Sequence, residues 1–93
     1  MKTIPIRRNA RVDTKTVILA VARTPEPGKG ISFSDMGKRL RLLDAIENIA
    51  DDATSFTLED ADHQLLSHLT RVFQFQIADR ELHEIINDIV EAK

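Results

Sequence analysis

The sequence predicts a mainly α, compact four-helix domain with a short N-terminal arm and scope for a tiny two-stranded β ribbon. Apolar residues recur at three- and four-residue steps in separate windows, a residue able to cap a helix opens the first three, and Pro and Gly cluster in "TPEPGKG". With 93 residues, 42% hydrophobic and 30% charged, the chain has the size of one domain, residues 1–93, and a composition that folds.

The arm spans residues 1–12. Ile4 and Ile6 alternate around Pro5, and Arg7, Arg8 and Arg11 follow. Proline excludes a central strand and leaves an arm or a short edge strand. A first helix over 13–24 has Asp13 as its cap and a nearly all-apolar run, Val17 to Ala22. Its β-branched residues would suit a strand, but Asp-Thr before it and Pro25 after it favour a buried helix. The second helix, 34–50, carries a stripe of Met36, Leu40, Leu43, Ile46 and Ala50, widened by Leu42 and Ile49. The third, 57–73, takes Thr57 as its cap and buries Ala61, Leu65, Leu69, Val72 and Phe73. After a "QFQI" connector, the fourth, 78–91, buries Leu82, Ile85, Ile86 and Ile89 and turns Glu81, Glu84, Asp88 and Glu91 outward.

"ISFSDMGKRLRLLDAIENI" and "TSFTLEDADHQLLSHLTRV" echo one another, each reading as a short extended piece, a hydroxyl cap and an amphipathic helix. The extended pieces, around Ser32-Phe33 and Ser55-Phe56, would pair as the ribbon.

Catalytic signatures fail at the positions that carry their chemistry. "HEIIN", His83 to Asn87, has Asn where a zinc helix needs its second histidine. His63 and His68 are five residues apart and point to different helix faces, so both read as surface histidines. "PGKGIS" has Arg23 where a phosphate loop needs its first glycine. The chain contains no cysteine, and no serine sits in a nucleophile-elbow context. The expectation is a non-enzyme with no cofactor and no metal. No apolar run approaches the ~18 residues of a membrane span, and no signal-peptide h-region follows the first residues. The expected setting is therefore the cytoplasm, with no membrane partner.

Charge is the informative feature. Residues 1–41 carry ten Lys/Arg against three Asp/Glu, and residues 42–93 carry three against twelve. Such a sequence dipole suits a basic segment for nucleic acid, or two surfaces of opposite sign that meet within a molecule or between molecules. The basic candidates are Arg7, Arg8 and Arg11 in the arm and Lys38, Arg39 and Arg41 in the first turns of the second helix, where the helix dipole disfavours cations. The acidic candidates are Glu59, Asp60, Asp62, Glu84, Asp88 and Glu91. Because the second and third helices open with opposite charges, they could dock head to tail between copies, in a salt-sensitive way.

At "FSDMGKRLRLLDAIE", "FTLEDADHQLL" and "ADRELHEIINDIV" the chain resembles small helical proteins encoded by tailed bacteriophages and prophages beside their structural genes, over roughly residues 14–93. That resemblance implies a role in particle assembly, as a head-tail or tail component that self-associates or chaperones a partner. It also implies a host-cell location with incorporation into a virion. The expected function is accordingly a protein-protein interaction module, acting on itself or on other phage structural proteins. The alternatives are a small nucleic-acid-binding regulator using the basic half and an inhibitor presenting its acidic surface to a host protein.

Overall fold

The structure, a computed structural model, describes residues 1–9 and 12–93. Asp13 starts α1 (Thr14–Arg23) as its sequence suggests, its carboxylate accepting from the Thr16 amide at 2.7 Å. The β-branched run stays helical because both its sides are covered: α1 packs against two later helices, burying Val17, Ile18, Val21 and Ala22.

The second helix, α2 (Phe33–Glu47), is capped by Ser32, whose hydroxyl accepts from the Asp35 amide at 3.1 Å. It ends short of the expected residue 50, and its buried face is rotated from the expected stripe. Arg39, Leu42, Leu43 and Ile46 face inward, while Met36, Leu40 and Ala50 are exposed.

A two-stranded antiparallel ribbon is present, but its partners are the arm and the later extended piece. Strand β1 (Lys2–Pro5) pairs with β2 (Ser55–Leu58), setting Ile4 opposite Phe56. Ser32 and Phe33 take no part, because Ser32 is occupied as a helix cap and Phe33 is already helical. The alternation explains the choice: Ile4 in β1 and Phe56 and Leu58 in β2 all face the core. Thr57 therefore lies in a strand and caps nothing. The third helix, α3 (Asp60–Val72), starts after Glu59 with no side-chain cap, and acidic Asp60 and Asp62 in its first turn complement the dipole.

The last helix, α4 (Arg80–Val90), is capped by Asp79 and buries Leu82, Ile85 and Ile89, with Ile86 half-buried. All the elements share one hydrophobic core, in which Ile4, Ile18, Leu42, Ile46, Leu66, Ile85 and Ile89 are fully buried. Among the described residues, no helix is long and apolar enough to cross a membrane.

Ile4 joins the ribbon to the helical core, so Ile4→Ala should lower unfolding free energy in urea by about 2–5 kcal/mol, a large share of a small domain's typical ~5–15 kcal/mol.

Candidate interaction surface

The basic candidates are spent largely on the protein itself. The Arg7 amide donates to the Thr14 hydroxyl at 2.9 Å, and its carbonyl accepts from the Thr14 amide at 3.0 Å. Its guanidinium reaches α4, with Nε on Asp88 at 2.5 Å and Nη1 on Glu84 at 3.1 Å. The hydrogen bond to Asp88 and the charges of Asp88 and Glu84 raise the Arg7 pKa. Arg8 donates to the Asp51 carbonyl at 2.6 Å, and Arg11 lies outside the described residues. Arg41 pairs with Asp62 at 3.3 Å, joining the middle of α2 to the first turn of α3 within one chain. One basic and one acidic candidate thus meet inside a single molecule. Lys38 is exposed, and its side chain makes no hydrogen bond or ion pair among the described residues.

Arg39 corrects the expectation of a surface cation: the residue is only 3% exposed. Its Nε bonds Asp35 one turn earlier at 3.1 Å, and its Nη1 bonds the carbonyls of Ala22 at 3.3 Å and Thr24 at 2.5 Å. These carbonyls lie at the C-terminal end of α1, where a cation complements both the unpaired acceptors and the dipole. Because α2 begins at Phe33, Arg39 lies beyond the first turn, where its own helix's dipole no longer disfavours a cation, and its charge serves the end of α1 instead.

The acidic candidates fall the same way. Asp60 pairs with the Met1 ammonium at 3.1 Å, and this hydrogen bond holds its carboxyl below the usual range. Asp62, Glu84 and Asp88 are the arginine partners named above, while Glu59 and Glu91 are exposed with no ion pair among the described residues.

The histidines divide. His63, expected at the surface, is buried on α3 and donates from Nε2 to the Ile89 carbonyl of α4 at 2.8 Å. His68 is exposed and donates from Nε2 to Glu26 at 2.6 Å, tying the "TPEPGKG" loop to α3. Hydrogen bonds from His68 and then Lys29 lower the Glu26 pKa. Gly28 takes φ +77° there, a turn conformation that glycine adopts without strain. Glu26, Lys29, Ser32, Ser34, Asp35 and Lys38 line a polar hollow at the start of α2, in which Glu26 and Asp35 already neutralise Lys29 and Arg39. His83 and Asn87 are exposed, and among the described residues no group of three or more acidic or histidine side chains could hold a metal ion.

Several large apolar side chains are also left exposed. On α2, Phe33 is 94% exposed, Met36 47% and Leu40 52%. With Gly37 they occupy about 100° of the helix circumference, turned away from the buried Leu42 and Ile46. Gly37 lies beside open space, since a Cβ built there would meet nothing within 4 Å. A glycine inside a helix costs about 0.5–1 kcal/mol relative to alanine, and no contact within the chain calls for one here. Ile77 is also exposed, above a shallow hollow lined by Phe75, Leu82 and Ile86.

Sequence reading placed Met36 and Leu40 in the core and Phe33 in a strand. The overlooked signal is excess: apolar residues spread over more of α2 than one packing face uses, so a second face is left over. Comparison with family models, curated proteins and solved structures gives no match.

Arg39→Ala leaves the Ala22 and Thr24 carbonyls and Asp35 without their donor and should destabilise by about 3 kcal/mol in chemical denaturation, with Arg39→Lys recovering only part. The lowered Glu26 pKa adds stability above the unfolded-state value, and that stability is lost as pH falls through the folded value. The melting temperature of wild type should therefore exceed that of Glu26→Gln at pH 7, and the gap should narrow as the pH falls below the ordinary glutamate range.

Proposed function

We propose that this chain is a non-enzymatic protein-interaction module, a component of a protein assembly that engages its partner through the exposed face of α2. The observation that carries this reading is the ridge of Phe33, Met36 and Leu40, three large apolar side chains left in water at helical spacing. Apolar anchors on one face of a helix are the usual means by which a helix seats in a partner's groove or against a partner helix. The role agrees with the particle assembly implied by the chain's resemblance to small tailed-phage proteins.

The charge pattern supports a protein partner over nucleic acid. Arg7 and Arg41 are paired with carboxylates, and Arg39 is buried. Of the described candidates, Arg8 and Lys38 remain for phosphates, whereas strong duplex binding draws on many such contacts. The acidic surface is likewise partly neutralised by Arg7 and Arg41, which weakens its use as a nucleic-acid mimic. Docking through an apolar ridge persists at high salt, in place of the salt sensitivity expected for opposed charged faces.

The test uses size-exclusion chromatography with light scattering and native mass spectrometry, on purified protein and on tagged protein recovered from its source cells. Wild type should form a defined protein complex that survives high salt. Phe33→Ser with Met36→Ser and Leu40→Ser should abolish it while leaving the circular dichroism spectrum unchanged. A triple variant that keeps every complex, or a wild type that is monomeric at all concentrations with no protein partner, would overturn the reading.

A further inference from the structure

Resting on α2 as the docking face, we infer that the partner is a second copy of this chain. The two α2 helices pack antiparallel across a two-fold axis, and Leu40 of each sits on Gly37 of the other. Gly37 lies mid-helix with nothing within 4 Å of a Cβ. It shares its face with Phe33, Met36 and Leu40, so a gap stands one turn before a protruding leucine. Such a surface is self-complementary. A two-fold axis between residues 38 and 39 sets Leu40 over the second copy's Gly37 and, by symmetry, the reverse. The missing side chain lets the two backbones approach closely and fills the space that is open in the single chain.

Charge selects the antiparallel direction. Running the helices in opposite senses opposes their dipoles. It brings Asp44, exposed and without an ion pair, to the first turn of the second copy's α2, beside Phe33. Amide groups and the positive end of the dipole favour a carboxylate there. The aliphatic stem of Arg41, whose guanidinium is held by Asp62, lies along the second copy's Met36. A parallel pair would instead set Asp44 against Asp44, Arg41 against Arg41, and gap against gap.

Sedimentation equilibrium of the full chain, with thermal melts at concentrations too low for association, tests this arrangement. Wild type should be a reversible dimer. Gly37→Ala should raise the melting temperature of the monomer, because alanine is the better helix former, yet weaken the dimer about tenfold. Gly37→Leu should weaken it more than about a hundredfold. Gly37→Leu with Leu40→Gly, which exchanges knob and gap, should return the dissociation constant to within about tenfold of wild type. A purely structural glycine would give neither the opposed effects of alanine nor the rescue by exchange.

Dimerisation indifferent to Gly37→Leu would overturn the inference; if the Phe33, Met36 and Leu40 triple variant still broke the dimer, α2 would stand as the docking face. A wild type monomeric up to about 1 mM whose ridge bound a different protein would likewise overturn the second-copy partner alone. Loss of association in Ile77→Ser but not in Gly37→Leu would place the contact at the α4 hollow and overturn both.

Discussion

A guanidinium drawn out of water must find both an opposite charge and acceptors for its donors; buried Arg39 meets that demand at one joint of this fold, and the partly exposed Arg7 makes a similar fastening at another. Arg39 ties α2 to the end of α1 by bonding two carbonyls there, with Asp35 supplying the charge. Arg7 ties the arm to α1 through its backbone and to α4 through Asp88 and Glu84. The four helices and the ribbon of two four-residue strands are separate elements whose mutual angles are set from outside each of them. These polar joints fix the angles at which the helices bring their apolar faces together.

The same two residues explain how far the sequence could be read. Elements set by neighbours in the chain were legible: Asp13 before α1, the apolar face of α4, and the break at "TPEPGKG". Features settled by distant partners were not. The strand that pairs with Ser55–Leu58 lies in the arm, and local alternation around Ser32-Phe33 could not reveal that Ile4 fits opposite Phe56. Arg39 read as a surface charge because its acceptors are carbonyls at the end of another helix, which no residue pattern advertises. His63 was misplaced for the same reason, since its acceptor is the Ile89 carbonyl on α4. With Arg39 inside, the inward stripe of α2 turns, and Met36 and Leu40 come out.

That rotation links architecture to the proposed role. A helix whose buried face includes an arginine has apolar residues to spare, and on α2 they lie together on the opposite side. The opening charges of α2, so suggestive of a phosphate grip, are largely internal fastenings. The outward message of the helix is apolar, with Gly37 at its centre.

The arm has a different consequence, for the order in which the chain completes itself. Arg7 and Asp88 are 81 positions apart, and Ile4 must reach Phe56, so the arm closes the longest loops in the molecule. The pairing of α1 with α2 is local by comparison and is available early. During synthesis the arm emerges ahead of the elements it joins but is seated only once β2 and α4 have followed it. Until then Ile4 and Arg7 are bare, and a segment made before its partners is the one that seals this fold.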